Sequence, residues 1–521
     1  MFAPTPQRQN ELVDSAADPA HSMLRIRRLG IDTYQELVVY LRDDSPICRS
    51  EGFEALSRVE VRLDDRHITA TVNVVRSDSG MPLARGEAGL SESAWRALGA
   101  TQGAAAHVSH PPVIESFSQV RAKIYGHSFT EEGLQHVIAD VVEGHYSNIE
   151  MAAFITACAS NHFDLDETVA LTRAMVDVGS RLAWHRTPVV DKHCVGGLPG
   201  NRTTLIVVPI VAALGAIIPK TSSRAITSPS GTADTMETLA PVALESAQMR
   251  TVVEREGGCI VWGGGVNLSP ADDILIRVER PLDLDSDSQL VASVISKKVA
   301  AGSNRVVLDL PIGPTAKVRS TQAGKVLADR LVAVGNAFGL RIDVLLTDGS
   351  QPVGRGIGPA LEARDVLAVL RNETSAPQDL RERSLLLAGR ILEVAGVATD
   401  GSGIAMATAA LSDGRAWEKF QRIAEAQGGM RDLKLAPHRR DVVASHAGRI
   451  TSLDNRRLSR IAKLAGAPRA AASGLDLHVR AGSTVQRGQP LYTVYAEAPG
   501  ELEYALEYAL HQPESIVVEA L

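Results

Sequence analysis

The spacing of apolar residues changes several times along the chain and predicts distinct structural regions. Residues 1–22 are polar and aperiodic, which predicts a disordered tail. From Leu24 to about Val75, apolar and polar residues alternate in segments such as RVEVRL and HITATVNVV, as is typical of strands. GLSESAWRALG then predicts a short capped helix, and residues 99–113, with two prolines near their end, predict a linker. We therefore expect an N-terminal β-rich domain and linker over residues 23–113.

The next region has the periodicity of amphipathic helices. It contains FTEEGLQHVIADVVEG, NIEMAAFITACAS and LDETVALTRAMVDVG. Thr130 and Asp164 stand at or near helix starts, where a side-chain oxygen can cap the first turn. We expect a helical domain over residues 114–185 that also receives part of residues 250–300.

From Pro188 onward, short β-branched runs are each followed by a glycine-rich loop and a helical segment. This alternation predicts a mainly parallel sheet flanked by helices over residues 186–435. Residues 436–521 become β-rich again, and GSTVQRGQPLYTVYAE is similar to the hammerhead of biotinyl and lipoyl carriers. The modifiable lysine of a carrier is missing there, so we expect a structural, barrel-sandwich-like domain. The predicted fold class is α/β with all-α and β parts.

Composition and charge narrow the class of protein. A length of 521 residues fits about three or four domains. The net charge of −7 argues against a nucleic-acid or membrane-surface protein. The cysteines form no CxxC pair, which favours a reducing compartment over a disulfide framework or zinc site. The chain begins without an apolar signal-peptide core and has no run of about 18 apolar residues, so we expect a soluble, cytoplasmic protein.

Two loops contain the residue types that bind anions. In DKHCVGGLPGN, residues 191–201, Gly196, Gly197 and Gly200 allow the backbone to approach an anion closely. Lys192 adds a positive charge. A tight strand-to-helix turn that needs glycine for packing is the structural alternative.

The second loop, KTSSRAITSPSGT at residues 220–232, places many hydroxyl groups around Arg224. Hydroxyls and a guanidinium suit phosphate oxygens or polar sugar and base edges. Thr232 also stands where a helix N-cap would lie, so a purely structural cap is its alternative. Neither GxGxxG nor GxxxxGK[ST] occurs here, and two anion-binding loops at successive strand ends favour one shared site.

Several sequence segments, including those of both loops, together resemble the thymidine phosphorylase family. VVDKHCVGGLPGN, SSRAITSPSGTADTMETLAPV, GGCIVWGGGVNLSPADD, LVASVISKK and VLLTDGSQPVGRGIGPALEA occur in that family's order over roughly residues 114–510. The extra N-terminal domain, with PGN, KTSSRAITS and GTADTME, resembles the long-form branch, which includes AMP phosphorylases. The resemblance implies a helical domain and an α/β domain with the active site in the cleft between them. It also implies closure of that cleft and dimers formed through the helical domain, so we expect a homodimer or a larger homo-oligomer.

The resemblance also implies roles for individual residues. Those matching phosphate-binding positions are Lys192, Ser222 and Thr232. Those matching catalytic positions are His193, near the pyrimidine carbonyl, and Asp285, where the long form places its proton donor. Those matching substrate-contacting positions are Gly197, Ser223, Arg224, Ala225, Ile226, Thr227, Ser228, Thr232, Ser293, Lys297 and Lys317.

Some of these residues have ordinary structural alternatives, and two positions depart from the family pattern. Asp285 lies in an acidic stretch typical of solvated surface, and Lys297 and Lys298 are otherwise expected to be helix-surface lysines. Cys194 stands where the family usually has a phosphate-binding serine, and a thiol is a weaker donor. The base-binding arginine of the short form has no clear counterpart, since Arg277 is shifted by one residue.

The chemistry of these residues fits phosphorolysis of an N-glycosidic bond, giving a free base and a pentose 1-phosphate. Phosphate held at Lys192 would attack C1′, and an acid at His193 or Asp285 would protonate the leaving base. The substrate would be a pyrimidine nucleoside or a nucleoside monophosphate, with inorganic phosphate as co-substrate and no metal or other cofactor. Two alternatives remain: an inactive nucleotide-binding regulator, favoured by Cys194, and an anthranilate-type phosphoribosyltransferase, which needs Mg²⁺ and acidic ligands such as Asp272–Asp273.

Overall fold

The computed structural model describes residues 23–159, 163–225, 228–282, 284 and 286–520. The described chain forms two compact units, residues 23–115 with 143–147, and residues 116–142 with 148–520. The predicted disordered tail, residues 1–22, lies outside the described residues.

The first unit contains a closed six-stranded barrel. Its elements are β1 (Met23–Arg28), β2 (Val38–Arg42), α1 (Pro46–Ser50), β3 (Arg58–Leu63), β4 (Arg66–Val75), β5 (Glu87–Leu90), α2 (Glu92–Leu98) and β6 (Ala105–Ser109). The strand order is β1-β5-β2-β4-β3-β6, and β6 pairs with β1 to close the barrel. Alternate residues such as Val59 and Val61 point inward and are fully buried, as the period of two requires.

Two expectations for this unit have different outcomes. The capped helix is found as α2, where the Ser91 side chain accepts from Ala94 N and Gly99 ends the helix in the left-handed region. The linker expected over residues 99–113 contains β6, so that part of the interpretation is wrong. The strand was missed because its residues, AAHVS, are mostly small and only weakly alternating, and its pairing partners are distant in sequence.

The second unit begins with helices. They are α3 (Phe117–Ile124), α4 (Glu131–Val142), α5 (Asn148–Cys158) and α6 (Leu165–Asp177). Asp164 caps α6 through a capping box with Glu167, and the Thr130 hydroxyl accepts from Gly133 N at the start of α4. Two later helices, α10 (Pro270–Leu282) and α11 (Asp287–Ala300), pack against α5 and α6, respectively.

A parallel sheet forms the centre of the second unit. Its strands are β7 (Val190–Cys194), β8 (Ile218–Ser222), β9 (Gly258–Trp262), β10 (Arg305–Ile312) and β11 (Arg341–Asp348). β11, β10 and β7 pair in that order, β8 pairs with β9, and a parallel bridge between Val189 and Ile217 joins the two groups. The helices of this region are α7 (Thr204–Ala213), α8 (Thr232–Glu237), α9 (Ser246–Glu256), α12 (Thr321–Ala337), α13 (Pro359–Leu370), α14 (Gln378–Val394), α15 (Gly403–Ser412) and α16 (Arg415–Ala426). Helix α7 is buried from Thr204 to Ala212, which explains its continuous apolar sequence TLIVVPIVAA.

The C-terminal region contains two small antiparallel sheets and two helices. Its elements are β12 (Gly356–Ile357), β13 (His438–Val443), β14 (Gly448–Leu453), α17 (Asn455–Leu464), β15 (Gly474–Leu477), β16 (Thr484–Val485), β17 (Pro490–Ala496), α18 (Pro499–His511) and β18 (Ile516–Glu519). The sheets have the orders β12-β15-β17-β13 and β16-β14-β18. Among the described residues, no helix is both long enough and apolar enough to cross a membrane.

Candidate active site

The candidate site lies where β7 and β8 end. Both strands belong to parallel pairs, and the Val189–Ile217 bridge aligns them. Their carboxyl ends therefore meet at one edge of the sheet, where the loops after parallel strands form ligand sites. The two loops singled out in the sequence are those that follow these strands.

The glycines of the first loop have the conformations that the sequence analysis requires. Gly196, Gly197 and Gly200 have φ of 127°, 55° and 72°, values that side chains rarely tolerate. A Cβ on Gly200 would lie 1.9 Å from Val353 O, so this glycine also permits close packing. A Cβ on Gly196 would lie 3.5 Å from Lys317 Cβ, which places the predicted Lys317 beside this loop.

Lys192 is buried beneath the first loop without an ion-pair partner among the described residues. Its side chain is 1% exposed, and its Nζ donates to Thr203 Oγ1 at 2.7 Å. Burial lowers the pKa of Lys192, although Cys194 and Asp309 act in the opposite direction. A buried ammonium with no carboxylate at ion-pair distance among the described residues is suited to an anionic ligand. Thr203 was not predicted as a site residue. Its position after the loop glycines was the only feature of the sequence that could have indicated it.

Cys194 accepts a hydrogen bond at the end of β7. Asn201 Nδ2 lies 3.0 Å from its Sγ and 3.0 Å from Asp309 Oδ2. Burial raises the pKa of the Cys194 thiol to about 12, so the thiol is protonated at neutral pH. Cys194 therefore brings neither a thiolate nor a strong hydroxyl donor to the site.

Arg202 joins the two loops. Its NH1 donates to Thr232 Oγ1 at 3.2 Å, and its NH2 donates to Ser230 O at 2.9 Å. Helix α8 begins at Thr232, and Gly231 occupies the N-cap position, so the alternative that Thr232 is the cap is wrong. The Asp234 carboxylate accepts from Gly231 N at 2.8 Å at this helix start, and the Thr232 hydroxyl takes no part in that bond.

His193 is half-buried and close to a group of lysines. Burial lowers the pKa of His193 well below its usual value, and the charges of nearby lysines lower it further. In order of their effect these are Lys298, Lys220, Lys297 and Lys192. His193 is therefore neutral at pH 7 and surrounded by positive potential.

Beneath His193, one buried carboxylate contacts two lysines. Lys298 Nζ donates to Asp191 Oδ2 at 2.6 Å, and Lys220 Nζ lies 3.6 Å from Asp191 Oδ1. Burial lowers the pKa of Lys220 to about 7. Lys298 is 1% exposed, so the expectation of a helix-surface lysine is wrong for it. Asp191, Lys220 and Lys298 were not predicted as site residues, although each lies within a sequence segment that resembles the family.

Lys297 and Ser293 face the same region from α11. Lys297 Nζ donates to Ser293 Oγ at 3.3 Å and lies 2.5 Å from Asp272 Oδ2. The Lys297 side chain is 19% exposed, so the surface interpretation is wrong for this lysine too. Burial, followed by the charge of Asp272, raises the pKa of Asp273 to about 6. The acidic pair considered as a metal ligand is therefore partly neutralised by Lys297.

Arg224 is held by two carboxylates in the second loop. Its NH1 donates to Glu237 Oε2 at 2.5 Å and to Asp234 Oδ1 at 3.2 Å, and its NH2 donates to Glu237 Oε1 at 3.1 Å. The guanidinium also lies over the Trp262 ring, 5.0 Å from its centroid. The charge of Arg224 is thus compensated by carboxylates of this chain.

Four other predicted site residues have defined surroundings, and three lie outside the described residues. Ser222 Oγ, at the end of β8, is buried and has no hydrogen-bond partner among the described residues, which leaves a donor for a ligand. Ala225 N donates to Asp234 Oδ2 at 2.7 Å, Ser228 Oγ donates to Ser230 O at 2.8 Å, and Ser223 O accepts from Ala233 N. The residues that lie outside the described part of the chain are Ile226, Thr227 and Asp285.

Comparison with known proteins covers most of the chain. Three family models match: a glycosyl transferase family helical bundle domain at residues 119–179, a glycosyl transferase family a/b domain at 186–417, and a pyrimidine nucleoside phosphorylase C-terminal domain at 449–513. The fold is also similar to that of anthranilate phosphoribosyltransferase (TrpD) from Thermus thermophilus. The TM-score is 0.50 and the identity 21%, over 59% of this chain and 99% of that one.

Sequence relatives match over nearly the whole length. A Polaromonas sp. (strain JS666) protein named "Putative thymidine phosphorylase" is 63% identical over 95% of this chain and 96% of the relative. Relatives of the same name from Hahella chejuensis and Legionella pneumophila (strain Paris) are 56% and 54% identical, each over 95% of this chain and over 98% and 95% of the relative.

Fold and site define a glycosyltransferase with a helical bundle, an α/β domain and a nucleoside phosphorylase-type C-terminal domain. The chain belongs to the thymidine phosphorylase family. It is a pentosyltransferase of the nucleoside phosphorylase class, as the sequence analysis predicts, and the likeness to anthranilate phosphoribosyltransferase is one of fold.

Proposed function

We propose that the protein cleaves the N-glycosidic bond of a pyrimidine nucleoside with inorganic phosphate, giving the free base and a pentose 1-phosphate. The observation that carries this proposal is the buried Lys192, whose ammonium has a hydroxyl neighbour but no ion-pair partner among the described residues. An anion bound at the first loop would supply the missing negative charge. The hydroxyls of Ser222 and Thr232 stand at the second loop as further donors.

On the phosphate side, the chain's groups bind and orient the nucleophile. Lys192 offsets part of the charge of phosphate, and the backbone of Gly196 and Gly197 allows a close approach. Holding one phosphate oxygen in line with C1′ converts a bimolecular attack into a positioned one. The bond from C1′ to the base nitrogen breaks as the bond from C1′ to the phosphate oxygen forms.

On the base side, the site stabilises the negative charge that develops on the leaving base. Because the pKa of His193 is well below its usual value, we propose that neutral His193 donates its one N–H to a base carbonyl. Lys297, 19% exposed on α11, supplies positive charge at the same place. Asp285 remains a proposed proton donor on the strength of the family resemblance alone.

A second candidate substrate is a nucleoside monophosphate, because Arg224 lies among hydroxyls that suit a 5′-phosphate. Its guanidinium is bound by Glu237 and Asp234, so a 5′-phosphate must compete with two carboxylates. This compensation favours an uncharged nucleoside as the first candidate.

We also propose that the protein needs no metal or organic cofactor, acts as a cytoplasmic homodimer, and takes no nucleic acid or membrane as a partner. The pairing of Asp272 with Lys297 supports the first statement, since a paired carboxylate is a poorer Mg²⁺ ligand. The homodimer rests on the family resemblance.

The test is a phosphate-dependence assay with thymidine, uridine, AMP, CMP and UMP, in which free base is followed by chromatography. We expect base release from thymidine or uridine only when phosphate is present, unchanged by EDTA. Release from AMP, CMP or UMP only would replace the nucleoside by the nucleotide. A protein that releases no base from any of them, yet binds nucleotide, would support the regulator alternative, and a requirement for Mg²⁺ would support the phosphoribosyltransferase.

A further inference from the structure

One buried ion pair holds Arg202, the side chain that reaches from the end of the first loop to the second loop. Arg202 Nε donates to Glu362 Oε2 at 2.5 Å, and the side chains are 9% and 0% exposed. Arg202 precedes α7 on the first loop, whereas Glu362 lies in the first turn of α13. The other two nitrogens of the same guanidinium reach the second loop at Ser230 O and Thr232 Oγ1. A single side chain thus spans the gap between the loops.

Glu362 fixes the position of Arg202. Its Oε1 accepts from Gly200 N at 3.3 Å and from Gly358 N at 3.4 Å, and the Thr235 hydroxyl donates to its Oε2 at 3.0 Å. The carboxylate therefore contacts the first loop, the start of α13 and helix α8 together. Because the pair carries no net charge, its effect on a bound anion is geometric, in contrast to the positive charge of Lys192.

The hydrogen bond from Arg202 determines what the Thr232 hydroxyl can do. A hydroxyl has one hydrogen to donate and lone pairs with which it accepts. Since a guanidinium can only donate, Thr232 Oγ1 is the acceptor of that bond, and its own hydrogen must point elsewhere. Thr232 is half-buried, and its hydroxyl donates to no protein group among the described residues, so its hydrogen can be donated to a ligand.

We propose that Arg202 and Glu362 are positioning residues which hold the Thr232 hydroxyl as a hydrogen-bond donor to the phosphate co-substrate. Arg202 sets the direction of that hydroxyl and the distance between the loops, and Glu362 holds Arg202. This inference rests on the proposed function, because it names phosphate as the acceptor.

The test compares Arg202→Met with the wild-type protein in phosphorolysis assays. The Thr232–phosphate bond is a ground-state contact that persists in the transition state, so its loss raises KM for phosphate with little change in kcat. We expect KM for phosphate to rise about tenfold or more. KM for the nucleoside stays unchanged. A merely structural role would lower the active fraction, and hence apparent kcat, without changing KM for phosphate.

Two further variants separate positioning from disruption. Arg202→Met/Glu362→Gln removes both charges and so leaves no unpaired buried carboxylate, and we expect KM for phosphate to remain raised. In Thr232→Val, where the hydroxyl is already absent, adding Arg202→Met should raise KM for phosphate less than about twofold. The control is Arg364→Lys on α13, the helix that contains Glu362. This change weakens the two hydrogen bonds from the Arg364 guanidinium to the Asp476 carboxylate, and we expect it to leave KM for phosphate unchanged.

Two results would overturn the inference. One is a wild-type KM for phosphate in Arg202→Met/Glu362→Gln. The other is full additivity of the effects of Arg202→Met and Thr232→Val on KM for phosphate. Titration calorimetry with inorganic phosphate alone separates this failure from that of the proposed function. If the wild-type protein releases no base but binds phosphate, and Arg202→Met weakens binding tenfold, the proposed function fails while the positioning role stands. If base release occurs and Arg202→Met binds phosphate as wild type does, only the positioning role fails.

Discussion

Replacing Lys192 with methionine should greatly lower the activity and yet make the protein more stable. The ammonium is 1% exposed, and among the described residues it forms no ion pair. Burial lowers its pKa, which means that the folded state disfavours the charged form. Methionine has a similar length and no charge, so it removes the desolvation penalty without leaving a large cavity.

The magnitudes decide the sign of the stability change. Burying an ammonium costs several kcal/mol, whereas its hydrogen bond to Thr203 returns about 1.5 to 3 kcal/mol. Lys192→Met should therefore gain roughly 1 kcal/mol or more, a rise of about 2–4 °C in Tm for a domain of about 200 residues. Loss of the cation from the phosphate site should lower kcat/KM by about 10²- to 10³-fold.

The assay is thermal unfolding with and without inorganic phosphate, beside base release. Phosphate at about one hundred times its Kd should stabilise the wild-type protein by about 2.7 kcal/mol and Lys192→Met far less. The matched control is Lys123→Met, because Lys123 is equally buried but bonds to the Glu167 carboxylate at 2.7 and 2.8 Å. Leaving that carboxylate unpaired should cost about 3–5 kcal/mol. The reasoning is refuted if Lys192→Met lowers Tm as Lys123→Met does, or if phosphate stabilises it as strongly as the wild type.

Three further predictions concern neighbouring residues. Cys194→Ser should lower KM for phosphate about fivefold, because a hydroxyl donates better than a thiol. Steady-state kinetics test this expectation. Activity in this variant but not in the wild-type protein would indicate that the natural protein is a regulator. Burial lowers the pKa of Lys220 from 10.5 to about 7. At pH values between about 7 and 10.5, Lys220 is protonated in the unfolded chain and neutral in the folded protein. The free energy of unfolding of the wild type should therefore rise with pH in this range, by at most about 1.4 kcal/mol per pH unit. In denaturant titrations at pH 7 and 9, Lys220→Met should lack that rise. An equal pH dependence of stability in the variant and the wild type would exclude Lys220 as the responsible group. Glu237→Gln should remove one of the two carboxylates that bind Arg224 and lower KM for CMP relative to cytidine roughly fivefold, and an unchanged ratio would place Arg224 away from the 5′ position.

Sequence patterns predicted those parts of the fold that depend on local periodicity. Alternation located β3 and β4, and capping residues located the starts of α2 and α6. The helices α17 and α18 were missed in the region interpreted as β-rich, although α17 has a clear apolar stripe with Leu458 and Ile461 buried. Its short length between strands obscured the helical period.

The candidate site was predictable only in part, because its loops are local and its internal contacts are not. Glycines and hydroxyls mark both loops in the sequence. Arg202 and Glu362, by contrast, are 160 residues apart, and Lys298 and Asp191 are 107 apart. No periodicity relates such positions, so their pairing needs the topology that brings α13 and α11 to the end of β7.

Closure of the N-terminal barrel has a consequence for the order in which the chain can fold. Among the described residues, the first strand pairs with β5 on one side and with β6 on the other, where Leu24 lies opposite Ala106. During synthesis, β2, β3 and β4 can associate as soon as they emerge, but β1 has no partner until β5 has been made, and its second edge stays open until β6 has left the ribosome. Contacts of such long sequence separation slow folding and prolong the exposure of unpaired strand edges. The N-terminal unit should therefore be open to misassembly until residues 87–109 have been made.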